Sequence, residues 1–251
     1  MQRWQVNPRG ELDAGARARK RSGMEAIILA GGLGTRLRSR LTDLPKVMAP
    51  VAGRPFLSIL LDQLRAAGCA RVILSVGHLR QTILDAFRDD YQGMPLAYAI
   101  EETPLGTGGA IRLALAQVRE ASALVLNGDT YVNLDFAAMH AQHAPGDAMS
   151  MAVTEVPDTA RYGGVLVEHG RVAGFVEKGR SGPGWINAGV YVVARAFPWP
   201  ETLPERFSFE TDLLVPFVDR LRPVAYAHTG YFLDIGVPED LDRAQQELAS
   251  R

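Results

Sequence analysis

A single cysteine in 251 residues leaves no partner for an intrachain disulfide, and with no hydrophobic signal segment a reducing cytoplasm is the expected compartment. That residue, Cys69, follows Gly68 at an expected helix end and reads as a small apolar filler rather than a nucleophile. No apolar run approaches the roughly 20 residues of a membrane span, so none is expected. A net charge of -1 argues against nucleic acid as the main partner. Two familiar phosphate loops are also missing: GxGxxG would need glycine where Leu37 stands, and Gly-Lys-Ser/Thr does not occur. There is no GxSxG. The five histidines offer little, since His140 and His143 lie three apart on a short expected helix without a carboxylate or thiol partner and read as a solvated face.

What is present is ordinary in bulk, with 47% hydrophobic and 22% charged residues, enough for a substantial core. Charge is uneven. Residues 1–23 carry Arg3, Arg9, Arg17, Arg19, Lys20 and Arg21 against Glu11 and Asp13, which is +4 for this segment and -5 for the remainder. Lacking apolar periodicity, the segment is expected to be a disordered basic tail, with residues 24–251 forming one domain.

From Met24 onward strand-like and helix-like runs alternate, predicting an α/β fold: a Rossmann-like mixed, mostly parallel sheet flanked by helices. Strands are expected at Ala26–Ala30, Arg71–Val76, Leu96–Ile100 and Ala123–Leu126, with helices at Phe56–Ala67, Leu79–Arg88 and Gly108–Val118 between them. After Asp129 the pattern turns strand-rich, at Ala148–Val156, Gly164–Val167, Val172–Val176 and Ile186–Val193, with a hairpin turn around His169-Gly170. A helix over Phe209–Leu221, kinked or shortened by Pro216, strands near Val224 and Tyr231, and a last helix opened by Pro238, Glu239 and Asp240 complete the pattern.

The organising stretch is MEAIILAGGLGTRLRSRLTDLPKVMAP, Met24 to Pro50. Its buried strand stops at glycine, and Gly31, Gly32 and Gly34 allow positive φ or close backbone approach, so successive N–H groups can form an anion-binding concavity. Arg36 brings a planar fork to the same place and Lys46, after Pro45, a point charge on a long stem. Ligands of open parallel sheets sit beyond the strands' carboxyl ends, where Glu101–Gly109 and Asn127-Gly128-Asp129 also fall. Asp129, and Asp234 after Tyr231-Phe232-Leu233, are two carboxylates at strand ends that can share one Mg2+, which takes one or two carboxylates and fills its octahedron with water and substrate phosphate.

In chain order stand GGLGTRL at Gly31, LPK at Leu44, PLGTGGA at Pro104, NGD at Asn127, RYGGV at Arg161, FVEKG at Phe175, INAGVY at Ile186, FSFETD at Phe207 and FLDIGVPEDL at Phe232. Over Met24 to Ala244 this series resembles the sugar-phosphate nucleotidyltransferases. The resemblance implies that Leu29, Ala30, Gly31, Gly32, Gly34, Thr35 and Arg36 hold a nucleoside triphosphate with Lys46. Gly106 and Thr107 would form the turn against the base, and Gly128 would lie beside Asp129. Tyr162, Gly163, Glu177, Lys178, Asn187 and Asp234 would hold the sugar phosphate, and Asp129 and Asp234 the Mg2+. Arg36, Lys46, Asp129 and Asp234 would carry the catalysis. A sugar 1-phosphate, with a second pKa of about 6, is already mostly a dianion at pH 7 and needs no general base. The protein's task is alignment and charge stabilisation.

Glu101 stands where many thymidylyl and uridylyl relatives carry glutamine; a carboxylate only accepts, and guanine presents N1–H and a 2-amino group in a row, so GTP is the expected nucleotide. PLGTGGAIRLAL, RYGGV, INAGVY and FSFETD most resemble the branch that guanylylates a D-glycero-α-D-manno-heptose 1-phosphate for bacterial surface glycans. Guanylyl transfer to mannose 1-phosphate, uridylyl transfer to N-acetylmuramate 1-phosphate, and a sugar-nucleotide sensor without turnover are the rivals. The resemblance is compatible with a homodimer and implies neither a nucleic-acid nor a membrane partner. Val47-Met48 after Lys46 departs from the proline of many relatives and bears on how the lysine approaches its target.

Overall fold

The computed structural model describes residues 23–32, 34, 37, 43–228 and 230–249. The expected tail, Gly23 apart, and the candidate residues Thr35 and Arg36 lie outside the described residues. β1 (Glu25–Leu29) is followed by a 3-10 turn at Lys46–Met48, a short hairpin of β2 (Pro50–Val51) and β3 (Arg54–Pro55), and α1 (Phe56–Ala66). Then come β4 (Arg71–Val76), α2 (Arg80–Phe87), β5 (Asp90–Tyr91), β6 (Met94–Ile100), α3 (Gly106–Leu115), β7 (Ser122–Asn127), β8 (Thr130–Val132) and α4 (Phe136–Gln142). β9 (Met149–Val156), β10 (Gly164–Glu168), β11 (Arg171–Val176) and β12 (Gly184–Ala194) lead to a π-helical turn at Phe209–Leu214 and α5 (Val215–Leu221). β13 (Val224–His228), β14 (Phe232–Asp234) and α6 (Pro238–Glu247) end the described chain.

The large sheet has the order β10-β11-β13-β9-β12-β7-β1-β4-β6-β5. Its parallel parts are β7-β1-β4-β6, with Ala26 opposite both Val72 and Leu124, and the pair β9-β13. The sheet is mixed, as expected from the sequence, but the expectation that it is mostly parallel and Rossmann-like is corrected, because its second half is largely antiparallel. β12 runs antiparallel to β7 and β9, and β10 is antiparallel to both β11 and β12. With β11 on β13 and β13 on β9, the strands β9, β12, β10, β11 and β13 close into a ring. An apolar run reports burial but not direction, whereas a connection as short as His169-Gly170 can only join antiparallel neighbours.

Strand residues alternate between two helical layers. Ala26 and Ile28 belong to the core that also holds residues of α1, α2, α4 and α6, while Ile27 belongs to the core that holds residues of α3, α5 and the π-helical turn. Pro216, which cannot donate a helix hydrogen bond, precedes the non-helical Phe217, so the helix expected over 209–221 is split there. The start is capped reciprocally, with Ser208 Oγ accepting from Thr211 N and Asp212 Oδ2, one residue beyond the usual capping-box position, accepting from Ser208 N. His140 and His143 are not a solvated face: each is half-buried and ties α4 to the sheet, through Ser122 and Ser150 respectively. Cys69 is buried as expected, and burial pushes its thiol up to about 11.

Candidate active site

β1 and β7 lie side by side, so the chain segments leaving their carboxyl ends face one crevice. Gly128 lets them meet: a Cβ there would overlap Leu29 O and lie 2.7 Å from Val47 Cγ1. The buried Val47 and Met48 anchor the 3-10 turn, and the turn aims Lys46 into the crevice. Lys46 Nζ donates to Asp129 Oδ2 at 2.6 Å, with side chains 11% and 32% exposed, while Thr130 Oγ1 donates to Asp129 Oδ1 at 3.1 Å. The Val47-Met48 departure therefore keeps the lysine at the acidic strand end.

Asp234 arrives by a route that the sequence pattern does not show. β8 and β14 form a separate two-stranded antiparallel ribbon with Asp234 opposite Thr130, and Ile235 N donates to Asp129 O at 2.9 Å. The ribbon sets the two carboxylates beside each other. Burial first, and then the Asp129 charge, raise the Asp234 pKa, against the opposing effects of Lys46, Arg161 and a hydrogen bond from Gly236 N–H. Asp234 Oδ1 is buried with no hydrogen-bond partner among the described residues.

Two adjoining cavities complete the crevice. One of about 180 Å³ holds Ala30, Lys46, Gly128 and Asp129. The other, of about 310 Å³, holds Gly31, Gly34, Glu101, Gly106 and Arg206, and both share Leu29, Gly32 and Thr107. Every described residue expected at the nucleotide thus lines one cavity or both. Glu101 is held from two sides, its Oε2 accepting from Leu105 N at 3.0 Å and its Oε1 from Ser75 Oγ at 3.3 Å. Gly31 is glycine because a Cβ there would stand 2.6 Å from Glu101 Oε1.

The family model for nucleotidyl transferases matches residues 25–251. This chain belongs to the nucleotidyl transferase family. It is 41% identical over 226 residues to a D-glycero-alpha-D-manno-heptose 1-phosphate guanylyltransferase of Aneurinibacillus thermoaerophilus, covering 90% of this chain and 98% of the relative. A Campylobacter jejuni protein of the same name is 40% identical over 218 residues, 86% of this chain and 96% of its own. HddC from Yersinia pseudotuberculosis, in a crystal structure complexed with GMP-PN, superposes with a TM-score of 0.78 at 36% identity, over 90% of this chain and 99% of that one.

In this nucleotidyltransferase the residues expected at the sugar phosphate stand outside the two cavities, around the ribbon and β12. Tyr162 packs edge-on against Phe232 of β14 at 5.5 Å between ring centres. Gly163, at φ +82, lies over the stem of Lys178. Glu177 and Lys178 are exposed. Asn187 sits at a register shift in β12, its Oδ1 accepting from Gly189 N and its Nδ2 donating to Tyr191 Oη at 2.6 Å, and a Cβ on Gly189 would lie 2.6 Å from Asn127 Nδ2. Sequence reasoning missed three residues here. Arg161 lies 3.6 Å from Asp234 and pairs with the buried Asp240, and Arg206 lines the larger cavity. RYGGV and PEDL contained the first two, but a charge pair 79 residues apart leaves no local signal.

Proposed function

We propose that this nucleotidyltransferase moves GMP from GTP to D-glycero-α-D-manno-heptose 1-phosphate, forming GDP-heptose and pyrophosphate. The observation that carries the guanylyl reading is the held Glu101 carboxylate in the cavity that adjoins Lys46 and Asp129. The choice of heptose rests on the two curated relatives, matched over nearly their whole length.

A phosphate oxygen of the sugar 1-phosphate attacks the α-phosphorus of GTP, that P–O bond forms, and the bond to the β-phosphate oxygen breaks. The nucleophile is already ionised, so alignment and charge stabilisation are what remain. Lys46, whose ammonium pairs with Asp129 in the crevice, is assigned the phosphates. Arg36, outside the described residues, is assigned the transferred phosphate. Gly31, Gly32 and Gly34 line the larger cavity with backbone and no side-chain bulk. Asp129 and Asp234 fit a hard divalent cation: two adjacent carboxylates, one with a buried oxygen that lacks a partner. Mg2+ held there would bind phosphate oxygens and offset the charge that develops on them. Tyr162, Gly163, Glu177, Lys178 and Asn187 are assigned to the sugar phosphate.

The test is pyrophosphate release with Mg2+ for GTP, UTP, dTTP and ATP, each crossed with heptose, mannose, glucose and N-acetylmuramate 1-phosphates. Turnover confined to GTP and the heptose phosphate is expected; preference for another pair would overturn the assignment. Glu101→Gln is expected to lower the kcat/KM ratio of GTP to UTP by about tenfold, since an amide replaces one acceptor by a donor. An unchanged ratio would remove Glu101 from base selection.

A further inference from the structure

The larger cavity holds a cation that the reading above leaves unused. Phe207 and Phe209 are buried, and Arg206 between Glu205 and Phe207 is exposed at the cavity's edge. Its backbone is fixed to the turn that bears the base-side residues: Phe207 N donates to Leu105 O at 3.0 Å, Gly108 N to Phe207 O at 2.9 Å, and Phe209 N to Thr107 Oγ1 at 2.9 Å. Close packing reinforces this zipper, since a Cβ on Gly106 would lie 2.5 Å from Phe207 O. Arg112 Nη2 also donates to Pro204 O and Glu205 O, both at 3.0 Å, and its guanidinium lies 5.0 Å over the Phe207 ring. Arg206 is therefore held on a rigid segment, and its guanidinium forms no hydrogen bond or ion pair with another described residue.

We propose that Arg206 is a second base-reading residue, whose guanidinium donates to guanine O6 and N7 while Glu101 accepts from the opposite, donor-bearing edge. The inference rests on the guanylyl reading and supplies what Glu101 alone lacks. Both Glu101 oxygens already accept one protein hydrogen bond, and a carboxylate can also accept the N3–H of uracil. A planar fork that spans two adjacent acceptors matches guanine and meets a repelling amino group on adenine. Glu101 and Arg206 line the same cavity, so one purine can lie between an acceptor and a donor.

The experiment measures kcat/KM with heptose 1-phosphate for GTP, inosine triphosphate and 7-deaza-GTP in the unsubstituted enzyme, Arg206→Ala and Arg206→Lys. Arg206→Ala is expected to lose about tenfold with GTP and with inosine triphosphate, which keep O6 and N7, and clearly less with 7-deaza-GTP, which lacks N7. Arg206→Lys, which keeps the charge without the fork, should not recover GTP use. An equal loss on all three nucleotides, with recovery in Arg206→Lys, would place the residue on the phosphates and overturn the inference. No loss in Arg206→Ala would also overturn it and leave the guanylyl reading standing. Failure of the unsubstituted enzyme to use GTP would remove both.

Discussion

Asp129→Asn is expected to lower kcat by about a hundredfold or more while leaving the thermal midpoint within a few degrees. The substitution is close to isosteric. Asparagine can keep its oxygen toward Thr130 Oγ1, which lies 3.1 Å from Asp129 Oδ1, and the backbone contact from Ile235 N is untouched. What changes is the side facing the crevice. There an amide NH2 would replace the oxygen that now accepts from Lys46 Nζ at 2.6 Å, setting donor against ammonium and loosening the lysine. One formal charge would also leave the carboxylate pair assigned to Mg2+. Loss of a single preorganised group that stabilises transition-state charge typically costs about 10²–10³ in kcat. Pyrophosphate release under saturating substrates measures the effect, and a melt in the same buffer separates it from unfolding. Unchanged kcat would take Asp129 out of the catalytic group.

The parts of this site that were legible in the sequence are those whose geometry is local. An apolar run ending in Gly31-Gly32 has to be a strand that stops at a turn, and Lys46 after Pro45 inherits its position from the same loop. Gly128 and Asp129 follow a buried strand in the same way, and their neighbourhood with Leu29 follows from β1 pairing with β7. The β8–β14 ribbon is different. Each strand is three residues long, and they meet across about a hundred positions, so no periodic signal marks either. Asp240 shows how a correct local reading can be incomplete: it does stand in the first turn of α6, as expected for an acid, yet it is buried and paired with Arg161. Arg206 was invisible for a related reason. Alternation marks Phe207 and Phe209 as buried, but only the zipper to residues 105–108 shows which cavity the intervening arginine reaches.

Asp234→Asn should abolish most turnover and, unlike Asp129→Asn, should make the metal-free protein more stable at neutral pH. In the fold this carboxylate is mostly buried, with Asp129 beside it and Oδ1 unpaired among the described residues. Burial and the neighbouring charge raise its pKa, so the folded state disfavours the ionised form relative to the unfolded chain. At neutral pH the group is therefore a net cost to folding, offset only in part by Lys46 and by Arg161, whose firmer partner is Asp240. Asparagine can keep an oxygen for the Gly236 N–H and turn its NH2 toward the Asp129 carboxylate, replacing repulsion with a hydrogen bond. An unsatisfied buried acceptor costs about 1–3 kcal/mol, and ~1 kcal/mol moves the midpoint of a chain of this size by about 2–4 °C. A rise of about 3 °C without divalent cation is accordingly expected. Added Mg2+ should raise the midpoint of the unsubstituted protein more than that of the variant, because only the former keeps both carboxylates. The combination follows the usual exchange at a functional site, where a charge unfavourable to folding is retained for what it binds. If the variant melted lower than the unsubstituted protein and kept the same response to Mg2+, Asp234 would be a structural residue of the ribbon instead of half of a cation site.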